Sequence, residues 1–371
     1  MRAGRRCPPL LLSSCPGAVV TLPLFRLCCL PWLRTLWRRL RRPYAGALPG
    51  QEPSLTDRPA SHRPDRATWR DQLAAAPLRL LWLASRVLPR RLAARLAGAV
   101  FARIGPLTRK QRHVKRNLSF VKPEAAPDEI ERLARAVWRN FGMVLAEFPH
   151  LDAIVQEDLT VAIDPETQSL LDNQQPFILL TAHLGNWEVI GGWLARFGPP
   201  LTAVYDRNEN PLLEARIQGY RRADVIEFSD KAGSLKALMA AGRAGRAIAL
   251  LQDTRVDSGV ALPLFGVEAL TTVSPAKLAR RFGYPLLPAE LRREPGQRFH
   301  LRLHRPIRID PEGDERSAAA EATVAYHRLL ETWISARPGE WLCTKRRWPR
   351  DAAVPAVPRS SGSAKAPEVA Q

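Results

Sequence analysis

From residue 177 onward the chain alternates short apolar runs with longer stretches of helical period. The runs Phe177–Thr181, Leu201–Tyr205, Val225–Phe228, Ala247–Leu251, Pro285–Leu291 and Phe299–His304 are strand candidates. Most are apolar nearly throughout, the mark of strands covered on both faces. Between and after them, Trp187–Phe197, Leu212–Arg222, Leu235–Ala244, Pro275–Phe282 and Glu315–Ser335 carry apolar residues at three- and four-residue spacing. Strands separated by helices predict an α/β fold, helices layered on a largely parallel central sheet.

Upstream the period is helical only. Over residues 127–149 an apolar stripe runs through Ile130, Leu133, Val137, Phe141, Val144 and Phe148. Asp128 and Glu129 fall in the first turn, where the helix dipole favours acids. Residues 70–105 place Leu, Trp and Val opposite Arg, with Pro77 and Pro89 punctuating the stretch. This reads as a helical pair lying on, or shallowly inserted into, a membrane. A core helix with a solvated basic face is the competing reading. Residues 8–33 are apolar but hold Arg26 and five prolines, marginal for crossing a bilayer. They read as a signal anchor, or as sequence ahead of a mis-assigned start. Residues 43–68 look like a linker, and the Ala-, Pro- and Ser-rich tail from Asp351 looks disordered. The expected organisation is a basic extension over 1–66, a membrane-associated helical region over 67–126, the α/β domain over 127–350 and a tail over 351–371.

Charge sharpens the picture. The net formal charge is +20. Residues 1–116 carry 24 Lys and Arg against 4 Asp and Glu, and the rest of the chain carries 32 of each sign. The excess is therefore local. Its arginines are interleaved with Leu, Trp and Ala, which suits an anionic membrane surface and not a nucleic acid. Of five cysteines, Cys7, Cys15, Cys28 and Cys29 lie near the start and Cys343 alone in the body. The body folds without a disulfide framework, and no His/Cys set has metal-ligand spacing.

The chemistry concentrates at 177–188, FILLTAHLGNWE. His183 ends a strand at the carboxyl edge of a parallel sheet, where functional groups of such folds gather. Leu184-Gly185 can turn the chain, Asn186 can cap a helix, and Glu188 then falls in its first turn. A strand-end His and a first-turn Glu can face each other across that turn, a base held by an acid. No G-x-S-x-G, H-E-x-x-H, G-x-G-x-x-G or P-loop is present, so a substrate hydroxyl would be the nucleophile and no cofactor or metal is expected. From spacing alone a packed, hydrogen-bonded histidine remains an alternative.

HLGNWE resembles the H-x4-D/E signature of glycerolipid-type acyltransferases. Together with RNLSF (116–120), ENPLLEARIQGYRR (209–222), QDTRVDSGVALPLFGVEALTT (252–272) and EWLCTKRRW (340–348), it resembles the late acyltransferases of lipid A biosynthesis. The resemblance spans roughly residues 70–350. It implies a layered αβα acyltransferase domain at the cytoplasmic face of the inner membrane. Such an enzyme moves a fatty acyl group from acyl carrier protein to a hydroxyl of a lipid A precursor. An acyl-CoA donor, or another acceptor such as a phosphoinositol mannoside or an amino-acid lipid, is the rival. By resemblance His183 is the base and Glu188 its partner. Arg221 and Asp253 are expected at the substrate. Many relatives carry Arg directly after the Tyr where this chain has Asp206; either Arg207 replaces it after a one-residue shift, or the acceptor contacts differ. Val260–Phe265 is a candidate wall of an acyl pocket or a buried strand. Trp341, Trp348 and Lys345–Arg347 are candidates for an interfacial belt or phosphate clamp, or a solvated helix end.

Overall fold

The computed structural model describes residues 67–221, 226–230 and 234–355. The expected anchor over 8–33, the linker up to residue 66 and the tail from 356 lie outside them. Seven strands form the central sheet: β1 (Leu159–Ile163), β2 (Ile178–Thr181), β3 (Leu201–Tyr205), β4 (Glu227–Asp230), β5 (Ala247–Leu251), β8 (Leu286–Glu294) and β9 (Arg298–Leu303). Their order is β1-β9-β8-β2-β5-β3-β4, and every pairing is parallel except β8 with β9. This is the expected α/β fold with a largely parallel sheet. β6 (Val260–Leu264) and β7 (Val267–Thr271) form a separate antiparallel hairpin.

The sheet is covered on both faces, and β2 shows why its sequence is apolar without alternation. Ile178 and Leu180 point into one core with Ile248 and Leu286, whereas Phe177 and Leu179 point into another with Ala247 and Leu287. Successive side chains of a strand face opposite ways, so a central strand with two cores needs apolar residues at every position. The first core also takes α3 (Gln111–Val121), the first half of α4 (Pro127–Glu147), and residues of α9 (Ser234–Arg243), α10 (Ser274–Phe282) and α11 (Glu315–Ala336). The second takes the end of α4, α5 (Leu151–Glu157), α7 (Glu188–Phe197) and Tyr220 at the end of α8 (Pro211–Tyr220). A short α6 (Pro165–Asp172) follows β1.

Two helices precede these layers, α1 (Trp69–Val87) and α2 (Arg90–Ile104). Pro77 lies inside α1 and does not end it; the buried residues Ala75, Trp82 and Ser85 hold the helix to its support on both sides. The break falls at Leu88-Pro89, where Leu88 is extended, as a residue before proline prefers. α2 lies close against α4. A Cβ on Gly142 would stand 2.6 Å from the Ala97 carbonyl oxygen, so only glycine permits the approach.

The structure adds β1 and β7, which the sequence pattern did not show. β1 is an edge strand of five residues, too short and too mixed in burial to stand out. Val260–Phe265 forms β6 and its turn, packed on α11, and does not line the cavities at His183 described below. Trp341 and Trp348 are buried, and Trp348 stacks on Phe120 with ring centroids 4.4 Å apart. Arg347 is buried too and donates to the Leu270 carbonyl and the Thr271 hydroxyl. Trp341, Arg347 and Trp348 are thus core and form neither an interfacial belt nor a solvated helix end, whereas Lys345 is exposed and lines the polar cavity beside His183.

Candidate active site

β2 and β5 are neighbours and parallel, with Thr181 opposite Leu251. His183 and Asp253 each lie two residues beyond these partners. The ladder continues one step through the Gln252 N–H, which donates to the Thr181 carbonyl at 2.8 Å. Two chains leaving a sheet edge in register carry equivalent residues side by side, one strand spacing apart. His183 Nδ1 and Asp253 Oδ1 are accordingly 2.8 Å apart. The His183 backbone N–H donates to Asp253 Oδ2 at 3.2 Å, and the Trp341 indole N–H donates to the same oxygen at 2.9 Å.

The turn that presents His183 is fixed by its surroundings. Gly185 has φ +60°, and a Cβ there would sit 3.1 Å from the Leu291 carbonyl. Asn140 donates to the Gly185 carbonyl, and the Leu342 N–H donates to that of His183. Asn186 donates to Glu147, which also holds Arg293 in a buried ion pair. The segment 340–348 is therefore the brace of the histidine loop.

Glu188 does not face His183 as its hydrogen-bonding partner. Its carboxylate receives Arg221 Nε at 2.8 Å and Nη2 at 2.6 Å, and the Trp187 indole at 3.0 Å. The first turn of α7 directs the side chain to the end of α8, where Arg221 is the C-cap. Arg221 lies near the rings of Phe148, Tyr205 and Phe228, each within 5.9 Å. Its charge is spent on Glu188. Asp253, expected at the substrate, is instead the acid that holds His183. Arg207 is exposed after β3 and lines none of the cavities at His183 described here. Asp206 pairs with Lys345 at 3.0 Å, both at the surface.

Electrostatics follow from this arrangement. Burial disfavours a charged His183, but the Asp253 carboxylate, through its charge and its hydrogen bond, outweighs burial, and Glu188 adds to it; the imidazole pKa stands above its ordinary value. Burial would raise Asp253, but the His183 charge, the hydrogen bonds from His183 and Trp341 and the His183 backbone N–H hold it below the ordinary carboxylate range. Burial pushes the Cys343 thiol well up, so it offers no thiolate. Among the described residues no three His, Cys, Asp or Glu cluster as metal ligands.

His183 lines three spaces, the smallest of them, about 100 Å³, between Asp253, Thr254 and the 341–347 segment; the two larger ones differ in character. One is a cavity of about 210 Å³ between the sheet and α7, walled by Leu179, Ile190, Leu194, Leu201, Ala249 and Tyr220, with Glu188 and Arg221 at its side. The other, about 340 Å³, is more polar and carries Gln252, Thr254, Ser274 and Lys345. An ionised Asp253 beside Nδ1 favours the tautomer with hydrogen on Nδ1, which leaves an uncharged His183 its lone pair on Nε2. The arrangement can take a proton from a hydroxyl beside a bound apolar chain.

What the sequence pattern missed is the partnership of Asp253 and the donor Trp341. The signal for Asp253 is the shared offset: FILLTAH and AIALLQD both set a polar chemical residue two positions past a strand end. Trp341 leaves no such trace, because it reaches the site from the far end of the chain.

The chain has relatives among characterised proteins. It is 28% identical to the phosphatidylinositol mannoside acyltransferase of Mycolicibacterium smegmatis over 73% of its length and 90% of that protein. The protein of that name from Mycobacterium tuberculosis H37Rv is 26% identical over 73% and 87%. The crystal structure of the 1-acyl-sn-glycerophosphate acyltransferase PlsC from Thermotoga maritima aligns with 65% of this chain and 96% of its own at 13% identity and a TM-score of 0.30, too distant to add to the argument. The profile of the bacterial lipid A biosynthesis acyltransferases matches residues 69–350, the span that holds the His183 loop, its Asp253 partner and the bracing segment; the chain belongs to that family and is an acyltransferase.

Proposed function

We propose that the protein is a membrane-associated O-acyltransferase that acylates a hydroxyl of an anionic glycolipid, with His183 as general base. The observation that carries this reading is the His183–Asp253 pair at the mouth of an apolar cavity. Asp253 fixes the tautomer with hydrogen on Nδ1, and Nε2 removes the proton from the acceptor hydroxyl. The hydroxyl oxygen attacks the carbonyl of an acyl thioester whose chain lies in the cavity. The C–O bond forms, the C–S bond breaks, and the imidazolium returns its proton to the departing thiolate. Glu188 and Arg221 act together as a buried ion pair that shapes the cavity wall.

Membrane association rests on α1 and α2. Of thirteen large apolar side chains exposed among the described residues, ten lie between Trp69 and Leu107. Arginines 70, 79, 86, 91, 95 and 103 share these helices and are exposed or nearly so. Exposed Leu and Val beside Arg suit a headgroup boundary, apolar chains entering and guanidinium groups meeting phosphate. No helix among the described residues is long and apolar enough to cross a membrane. The proposed seat is the cytoplasmic face of the inner membrane, where acyl thioesters are available.

The acceptor is proposed to be a lipid A precursor and the donor acyl carrier protein, on the strength of the family. A second acceptor, a phosphatidylinositol mannoside, is favoured by the two relatives' names, and acyl-CoA is the corresponding second donor. Purified full-length protein, given each donor with each acceptor in mixed micelles, would resolve these by mass spectrometry of the product. Mass spectrometry of lipid A from cells lacking the gene complements it: loss of one secondary acyl chain supports the first acceptor, and an unchanged profile removes it.

A further inference from the structure

A separate depression, of about 440 Å³, lies between α1 and the end of α8 and shares Tyr220 with the catalytic cavity. Its chemistry differs from the cavity's. Arg79 and Arg86 enter it from α1, one helical face, and Arg216 enters from α8. All three are exposed, and none has a carboxylate within ion-pair distance among the described residues. The acid closest in sequence on α8, Glu214, is already committed to Tyr205, the Asn208 N–H and Gln218. Arg86 lies over the Tyr220 ring at 5.6 Å, which steadies it without neutralising it. Three guanidinium groups from two helices, with no ion-pair partner among the described residues, make a positive groove that attracts an anion.

The remaining wall is apolar and open. Leu80 and Leu83, 65% and 54% exposed, stand among the arginines on α1. A free phosphate or a soluble nucleotide has no use for exposed leucines. An amphiphile with a phosphate beside its acyl chains uses both. The two helices are tied at their starts by Asn210, whose side chain donates to the Asp71 carbonyl at 2.8 Å, so the arginines share a fixed frame.

We infer that the groove bounded by Arg79, Arg86 and Arg216 binds the phosphate group of the acceptor lipid, with its chains on Leu80 and Leu83. The inference rests on the acyltransferase reading above and adds to it the position of the acceptor. Tyr220 assigns the groove to the acceptor and not to bulk lipid, because the same ring is also a wall of the cavity that holds His183. An acceptor held there would lie against a residue that also lines the space of the donor chain. Lipid A precursors and phosphatidylinositol mannosides both carry such a phosphate, so the groove serves either acceptor.

The test is equilibrium binding, without donor or turnover, so that it can fail independently of catalysis. The probes are dihexanoyl phosphatidylinositol and uncharged dihexanoylglycerol, each below its critical micelle concentration so that bilayer docking plays no part. The full chain is compared with Arg79→Gln/Arg86→Gln/Arg216→Gln and with a control, Arg103→Gln/Arg109→Gln/Arg112→Gln, which removes equal charge from the basic third outside the groove. Each arginine near lipid phosphate is worth about fivefold, so the groove variant should lose about a hundredfold in affinity for the phosphatidylinositol. The control should lose less than threefold, and dihexanoylglycerol should bind all three proteins alike. Arg216→Gln alone, which leaves the α1 arginines in place, should lose about fivefold and covers any misfolding of the triple variant. Phosphatidylinositol affinity within twofold of the parent in the groove variant, or an equal loss in the control, overturns the inference. Loss of dihexanoylglycerol binding in step with phosphatidylinositol overturns it as well, since phosphate would then not be what is recognised.

Discussion

Replacing Asp253 with Asn removes one charge and one acceptor while keeping the shape. The two oxygens of Asp253 are not equivalent. Oδ2 receives two N–H groups, from the His183 backbone and Trp341, whereas Oδ1 faces only His183 Nδ1. An asparagine keeps its oxygen where two donors already point and must turn its amide NH2 to Nδ1. The imidazole then accepts at Nδ1 and carries its proton on Nε2, the nitrogen that has to take one from substrate. A base in the wrong tautomer costs about 10³–10⁴ in kcat, or roughly 4–5.5 kcal/mol. The pH profile should move as well. Asp253 holds the His183 pKa up, so losing its charge moves the rising limb of any residual activity to lower pH. The assay is thiol release from an acyl thioester in the presence of acceptor, read from pH 5 to 9, with product confirmed by mass spectrometry. Asp253→Asn within about threefold of the parent at every pH would refute the reasoning.

The remaining predictions concern stability, membrane contact and packing. Arg221→Met leaves Glu188 buried without its cation and should destabilise the fold by about 3–5 kcal/mol, seen as a lower urea midpoint; an unchanged midpoint would mean that the pair is not held as described. The His183–Asp253 pair should stabilise the fold most between the ordinary values of 6.5 and 3.8. The raised His183 contribution is present below 6.5 and fades as pH rises through its folded pKa, and the depressed Asp253 contribution is present above 3.8 and fades as pH falls. In His183→Ala the alkaline side of this component should vanish and the acid side should shrink, since the Trp341 indole and the backbone N–H at position 183 still hold Asp253. Leu96→Asp/Val100→Asp, on the exposed face of α2, should lower sedimentation with anionic phospholipid vesicles by at least tenfold, with the melting curve unchanged. Gly142→Ala sets a Cβ against the Ala97 carbonyl and Phe101, and a loss of about 1–3 kcal/mol in chemical unfolding is expected.

The sheet was legible because its central strands are apolar at every position and the helices between them keep their period. Of the six strand candidates, Val225–Phe228 overlaps β4 only in part, since β4 runs from Glu227 to Asp230. β1 and β7 were not legible, and Val260–Phe265 read equally as a pocket wall or as the strand it forms: five-residue strands at an edge or in a hairpin carry mixed burial. At the site, His183 was legible from its place at a strand end. Its acid was not, because local spacing favoured Glu188 across the turn. The strand register decides instead, and register between residues separated by seventy positions is not written in either segment alone. The same limit hid Trp341, and it made Trp348 and Arg347 look like surface groups when they fill the core.

The central claim is that Asp253 acts through His183, and a double-mutant cycle tests it most directly. Thioester-dependent acyl transfer is measured for the parent, His183→Ala, Asp253→Asn and the double variant. The account predicts a loss of about 10³ or more for His183→Ala and no further loss when Asp253→Asn is added. Losses that multiply, or a His183→Ala protein that transfers acyl groups at near the parent rate, would contradict it.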